Sequence, residues 1–190
     1  MVKVDGVRDV EALREMVHEG AEPEYLLFYG HTPSKSGRVT ASCLSQWWLD
    51  PFETGGVVYP TAEHYMMAGK AELFGDHEKA ELIRQAPDPK TAKVLGREVT
   101  GFDTATWERH RFDIAVDGNL AKFRQHRDLR RFLLGTGDAV LVEASKKDLV
   151  WGTGLAREEK NATKPDYWRG LNLLGFALME VREQLRAARG

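Results

Sequence analysis

The sequence lacks several features that would place it in a specialised class of protein. It has one cysteine, Cys43, so no internal disulfide can form and a reducing compartment such as the cytoplasm is expected. It contains no run of roughly 18 apolar residues that could span a membrane, and its N-terminus lacks the apolar core of a signal peptide. The net charge is −2, which gives no general attraction for nucleic acid or an anionic membrane.

The sequence also gives little indication of a metal-binding site. The 6 histidines are scattered, and none is paired at the i, i+4 spacing that puts two ligands on one helical face. Cys43 has no base beside it in the sequence, which favours a buried small residue over a nucleophile. We therefore expect no metal site.

What remains is the balance of an ordinary globular protein, with 42% hydrophobic and 29% charged residues, at a length that suits one domain. Periodicity predicts helices at 7–19, 60–74, 77–86, 90–98, 104–124, 128–134 and 168–188. Short strands are predicted at 25–29, 57–59, 139–143 and 149–151. This order lacks the regular alternation of a parallel α/β sheet. It favours a predominantly helical α+β fold in a single compact domain, 1–190.

Two charged residues lie on an apolar stripe of the helix predicted at 60–74. Glu63 and Lys70 are seven positions apart, about 10 Å along the axis at ~1.5 Å per residue, and share a face with Met66 and Met67. Charges on such a stripe are costly to bury unless they are paired or used in function. A structural ion pair, or side chains that reach water at the stripe edge, is the alternative and the more frequent outcome.

Two further clusters contain residues suited to ligand binding. Asp148 lies on a turn before Trp151, and Gly152 would allow a ligand to approach the backbone closely. A hairpin with a tryptophan in the core is the alternative. Asn172 lies where the last helix carries its first apolar residues, and is either a cap or a ligand for substrate.

A basic run is centred on the end of the long helix. It comprises Lys122, Arg124, Arg127, Arg130 and Arg131. The pattern is typical of a solvated helix face, with a phosphate contact as the less frequent alternative.

Taken in order, these clusters resemble the NADAR/YbiA-like family over about residues 25–186. Residues 1–20 are expected to form a helical extension outside the match. No single piece is specific, but chance would not space so many short motifs in one small domain. The matching pieces are Phe28-Tyr29, Leu44-Ser45-Gln46-Trp47, Tyr59 to Tyr65, Lys70, Trp107, Ala121-Lys122-Phe123, Leu141-Val142-Glu143, Asp148, Trp151-Gly152, Gly170 to Gly175 and Met179 to Arg182.

The resemblance implies a YbiA-like fold and an N-glycosidase that hydrolyses a ribosyl C1′–N bond. One branch of the family acts on phosphoribosylamino-pyrimidine intermediates of riboflavin synthesis, which implies that substrate. Alternatives are a hydrolase that removes ADP-ribose from guanine, and a non-catalytic module that binds ADP-ribose or a nucleotide. The partner is then a small ribosylated or ADP-ribosylated molecule, with nucleic acid only as a modified substrate, no membrane and no cofactor.

The family's functional residues, carried over by position, assign catalysis to Glu63 and Asp148. A carboxylate stabilises the oxocarbenium-like charge on the sugar and activates water. Lys70 either binds phosphate or forms a Schiff base with the opened sugar. The remaining predicted substrate-binding residues are Tyr65, Trp107, Trp151, Gly152 and Asn172. Each stacked tryptophan contributes about 1–3 kcal/mol.

Overall fold

A computed structural model describes the chain from residue 4 to residue 188. Its helices are α1 Val10–His18, α2 Ala62–Leu73, α3 His77–Arg84, α4 Pro89–Arg97, α5 Thr104–Gln125, α6 Arg127–Gly135 and α7 Leu173–Ala187. Its strands are β1 Tyr25–Phe28, β2 Phe52–Thr54, β3 Val57–Tyr59 and β4 Val140–Glu143. Short 3₁₀ turns lie at Ala41–Leu44 and Pro165–Tyr167. The predicted helix-rich α+β fold with a few short strands is confirmed.

The chain divides into two compact units. The first unit comprises residues 4–45 and 127–188, and the second comprises residues 46–126. This division was not predicted, and the assignment of the whole chain to one domain stays a prediction. No helix within residues 4–188 is long and apolar enough to cross a membrane.

In the first unit, β1 and β4 form a parallel pair, with Tyr25 opposite Val140 and Phe28 opposite Glu143. A parallel pair requires a long crossover rather than a hairpin, and here more than a hundred residues separate the two strands. Helix α7 packs on β4. Its buried apolar stripe consists of Leu174, Leu178, Val181 and Leu185.

In the second unit, β2 and β3 form a hairpin around Gly55 and Gly56. Both glycines have positive φ, 60° and 77°, which is the backbone that a tight two-residue hairpin requires. Helix α2 packs against α3, α4 and α5. Each of these four helices begins after a side-chain cap that accepts a backbone N–H from the first turn. The caps are Thr61, Asp76, Asp88 and Asp103.

The predicted strand at 149–151 is wrong, because a local carboxylate competes for its backbone donors. Asp148 Oδ1 accepts the N–H groups of Val150 at 3.0 Å and Trp151 at 2.8 Å. The carbonyls of this segment accept instead from the N–H groups at the start of α7, so no strand ladder forms. The predicted start of that helix at 168 is also wrong. It begins at Leu173, directly after Asn172, whose φ is 51°.

Candidate active site

Glu63 lies in the first turn of α2 and is 3% exposed. Its main-chain N–H donates to the Gln46 carbonyl at 3.0 Å. Thr61 caps the helix by accepting the His64 N–H. The positive end of the helix dipole favours a carboxylate at this position. The second unit therefore holds an almost fully buried carboxylate at the N-terminus of a helix.

Besides Thr61 and His64, the same unit buries three further polar side chains that were not predicted as site residues. Gln46, Asn119 and Lys122 are 5%, 0% and 0% exposed. Asn119 Nδ2 donates to Gln46 Oε1 at 2.8 Å and to the Ala115 carbonyl at 2.8 Å. Through Gln46, the main chain of Glu63 is linked to α5.

The burial of Lys122 corrects the interpretation of the basic run. Arg124 and Arg127 are exposed, as a solvated face predicts, but Lys122 is fully buried with its Nζ 5.0 Å from the Phe123 ring centroid. The sequence contains a pattern that indicates the burial of Lys122. Asn119 and Lys122 continue the buried face of α5 that includes Ala115, so two polar residues interrupt an apolar stripe.

Lys70 is bound to groups of its own unit. Its Nζ donates to the Gly96 carbonyl at 2.7 Å and lies 4.2 Å from the centroid of the Phe102 ring and 5.7 Å from that of Trp107. Burial lowers the pKa of Lys70 below its ordinary value. A cation at the last turn of α4 is favoured by the helix dipole, and the two rings add cation–π attraction. The predicted catalytic or phosphate-binding role of Lys70 stays a prediction.

Tyr65 belongs to an aromatic cluster. Its ring centroid lies 5.0 Å from that of Tyr59 and 6.2 Å from that of Phe52. A Cβ on Gly118 would overlap the Tyr65 ring. The absence of a side chain at Gly118 therefore leaves room for this ring to pack against α5. Burial, with the charge of Asp117 as the next cause, raises the pKa of Tyr65. The hydroxyl is therefore neutral at physiological pH.

In the first unit, the loop that follows β4 carries the other predicted residues. Asp148 and Trp151 are both half-buried, and the hydrogen bond between them fixes the turn. Gly152 is buried, and its carbonyl accepts the Asn172 N–H at 3.1 Å. A Cβ on Gly152 would lie too close to the Ser145 side chain and to the carbonyl oxygens of Glu143 and Asp148. The glycine therefore allows residue 152 to pack against the segment 143–148.

Asn172 occupies the N-cap position of α7, but its side chain does not cap the helix. It accepts from the Glu143 N–H at 2.9 Å and donates to the Leu141 carbonyl at 2.9 Å. The capping interpretation of this side chain is therefore wrong. Its role as a substrate ligand stays a prediction.

The structure thus groups the predicted residues by unit. Glu63, Tyr65, Lys70 and Trp107 lie in the second unit, whereas Asp148, Trp151, Gly152 and Asn172 lie in the first. Within residues 4–188, no group of three or more histidine, cysteine or acidic residues is arranged to hold a metal ion. Cys43 is fully buried, as predicted for a small core residue.

Comparison with known proteins places these residues in a family context. Residues 27–186 match the NADAR domain. The chain is 39% identical over 166 residues to N-glycosidase R617 of Acanthamoeba polyphaga mimivirus, covering 85% of this chain and 96% of that protein. It is 36% identical over 135 residues to N-glycosidase YbiA of Escherichia coli (strain K12), covering 71% and 76% of the two chains. The NMR structure of E. coli YbiA is similar with a TM-score of 0.69 and 31% identity, over 89% of each chain.

Proposed function

The chain belongs to the NADAR domain family and is a glycosyl hydrolase, and we propose that it hydrolyses the ribosyl C1′–N bond of phosphoribosylamino-pyrimidine intermediates of riboflavin synthesis. The proposal is supported by the similarity to proteins named N-glycosidase, including one from a bacterium and one from a virus. The expected partner is a small phosphorylated metabolite, and the reaction requires no cofactor.

The observation that carries the proposal is the burial of Glu63 at the N-terminus of α2. Cleavage of a C1′–N bond builds positive charge on the sugar, and a preorganised carboxylate stabilises that charge. A carboxylate in the same position can also accept the proton of the attacking water. We assign both tasks to Glu63.

Asp148 is assigned to the ribose hydroxyl groups. One of its oxygens, Oδ1, is held by the N–H groups of Val150 and Trp151, which orients the carboxylate. Trp151 follows on the same loop and is half-buried, so a ring face can support a planar base. Trp107 has the same proposed task.

A Schiff base on lysine is the second chemical route, because a glycosylamine opens readily to an imine. The lysine amine can then add to C1′ and displace the aminopyrimidine, and water hydrolyses the resulting lysine Schiff base. For Lys70 this route requires Nζ to leave the Gly96 carbonyl. The amine must also be neutral when it attacks, and burial favours the neutral form of Lys70. Borohydride reduction during turnover, followed by peptide mapping, shows whether a Schiff base forms and on which lysine. An adduct on Lys70 supports the route at this residue. An adduct on Lys122 assigns the Schiff base to Lys122 instead, and the absence of any adduct contradicts the route.

The proposed function is tested by product analysis with the purified enzyme. Wild type should release ribose 5-phosphate from the phosphoribosylamino-pyrimidine, and both Glu63→Gln and Asp148→Asn should lower the rate by about 10²–10⁴-fold. Glu78→Gln removes an exposed carboxylate of the second unit, which also contains Glu63, and should retain the wild-type rate.

An oligonucleotide that carries ADP-ribosyl-guanine is offered in parallel. Cleavage of this substrate alone would move the protein to the ADP-ribosyl hydrolase branch. Cleavage of neither would contradict the proposal and favour a binding module.

A further inference from the structure

A cavity of about 370 Å³ opens in the first unit at the carboxyl ends of its two parallel strands. Tyr29 directly follows β1 and Ala144 directly follows β4. The Ala144 N–H donates to the Phe28 carbonyl at 2.9 Å, which holds the two strand ends together. Open parallel sheets bind ligands at this edge, and the volume is within the ~300–1,000 Å³ of small-molecule pockets.

The cavity carries an excess of positive charge. Its lining includes Lys146, Lys147 and Arg157, against the single carboxylate of Glu158. Within residues 4–188, neither lysine takes part in an ion pair or a side-chain hydrogen bond. The excess of positive charge therefore suits a phosphate monoester, which carries about −1.5 to −2 charges at neutral pH.

The backbone fixes the position of the basic groups. Arg157 Nη2 donates to the Leu27 carbonyl of β1 at 2.8 Å, which anchors the guanidinium at the sheet edge. A guanidinium held in this way binds phosphate through a planar fork of donors. Lys146 and Lys147 form a turn whose next residue is Asp148. The ring of Tyr29 is 65% exposed and offers a surface for a sugar or a base.

We propose that this cavity is the phosphate-binding site of the enzyme, with Lys146, Lys147 and Arg157 as the phosphate ligands. The inference rests on the proposed function and identifies the substrate class as a ribosyl compound with a phosphate at the far end of the sugar. It moves the phosphate-binding role away from Lys70, whose Nζ is bound to the Gly96 carbonyl. The phosphate is either the 5-phosphate of a phosphoribosyl group or the diphosphate of ADP-ribose.

Calorimetric titration tests the site without any turnover. Ribose 5-phosphate, ADP-ribose and ribose are titrated into the wild type, into a Lys146→Gln, Lys147→Gln double variant and into a Lys35→Gln, Lys160→Gln double variant. The last removes the same charge from the same unit outside the cavity. A phosphorylated ligand should bind to wild type and to the control with equal affinity, and about tenfold or more weakly to the cavity variant.

Any other outcome of the titration contradicts the proposed phosphate-binding site. Equal affinity of the cavity variant and wild type would do so, as would equal loss in both double variants or no binding of either phosphorylated ligand. The ligand whose affinity falls in the cavity variant shows whether the site binds a phosphate monoester or a diphosphate. A loss for ribose 5-phosphate identifies the monoester, and a loss for ADP-ribose alone identifies the diphosphate.

Kinetics separates this inference from the proposed function. With the phosphorylated substrate, the cavity variant should show a KM raised about tenfold with little change in kcat. Its kcat/KM for the dephosphorylated substrate should equal that of wild type. If wild type cleaves neither substrate, the proposed function fails, whereas the titration still decides whether the cavity binds phosphate.

Discussion

Asn172 accepts a hydrogen bond of 2.9 Å from the main-chain N–H of Glu143. Its amide also donates to the Leu141 carbonyl, so one buried side chain joins the carboxyl end of β4 to the start of α7. Its φ of 51° places it in the left-handed region, where asparagine is one of the few tolerated residues other than glycine. The position therefore requires both a backbone conformation and an amide.

Asn172→Gly and Asn172→Ala should separate these two requirements. Glycine accepts the backbone conformation but loses both hydrogen bonds, which should cost about 2–3 kcal/mol. Alanine loses the same bonds and adds strain of roughly 1 kcal/mol at positive φ. Urea denaturation should therefore rank wild type above glycine and glycine above alanine. Equal stability of the two variants would show that the conformation is not strained.

Gly175 lies where α7 crosses β4 most closely. A Cβ at this position would overlap the Leu141 carbonyl oxygen and the side chain of Asn172. Gly175→Ala should therefore lower the free energy of unfolding by about 1–3 kcal/mol or more.

Gly135→Ala is the matched control for this substitution. No atom lies within 4 Å of a Cβ at Gly135, which ends α6. The control should be neutral or stabilising by up to about 1 kcal/mol. Equal thermal shifts in the two variants would contradict the close crossing.

The elements that could be predicted from the sequence are those set by local interactions. Asp88 and Pro89 specify the start of α4, since the carboxylate caps the first turn and proline is suited to it. The body of α7 was predicted from the periodic spacing of its apolar residues, which does not depend on the element that the helix packs against. These signals lie within a few residues of the element that they specify.

The parts that were missed depend on contacts between distant residues. The segment 149–151 has the composition of a strand, but its carbonyls are used by the first turn of α7, some twenty residues later. The burial of Lys122 depends on the packing of α5 against α2. For the candidate site, the family motifs predicted Glu63 and Asp148. The burial of Lys122 was not predicted, because the basic run favoured a solvated helix face.

Lys70 is expected to stabilise the second unit. Lys70→Met keeps the apolar length of the side chain but leaves the Gly96 carbonyl without its donor and removes the cation above Phe102. The loss should be about 1–2 kcal/mol by urea denaturation. Lys90→Met, at an exposed position of α4, should stay within about 0.5 kcal/mol of wild type. A Lys70 variant as stable as the control would show that neither contact contributes.

His64 should make stability fall in mild acid. It is buried, its Nδ1 lies 2.8 Å from Thr61 Oγ1 and its Nε2 lies 3.1 Å from the Ala86 carbonyl. Burial lowers the pKa of His64 below the ordinary 6.5, although the bond to Ala86 opposes the shift. The unfolded chain therefore binds more protons between the two pKa values. Stability should be unaffected by this group above pH 6.5 and should decrease as the pH falls below it.

Urea denaturation at a series of pH values between about 8 and 5 measures this dependence. His64→Gln removes the titrating ring, so the variant should be less stable at pH 8 yet lose less stability on acidification than wild type. His110→Gln replaces an exposed histidine of the same unit and should keep the wild-type slope. If the slope is unchanged in His64→Gln, other groups cause the acid sensitivity, because a ring that is absent from the chain cannot contribute to proton uptake on unfolding.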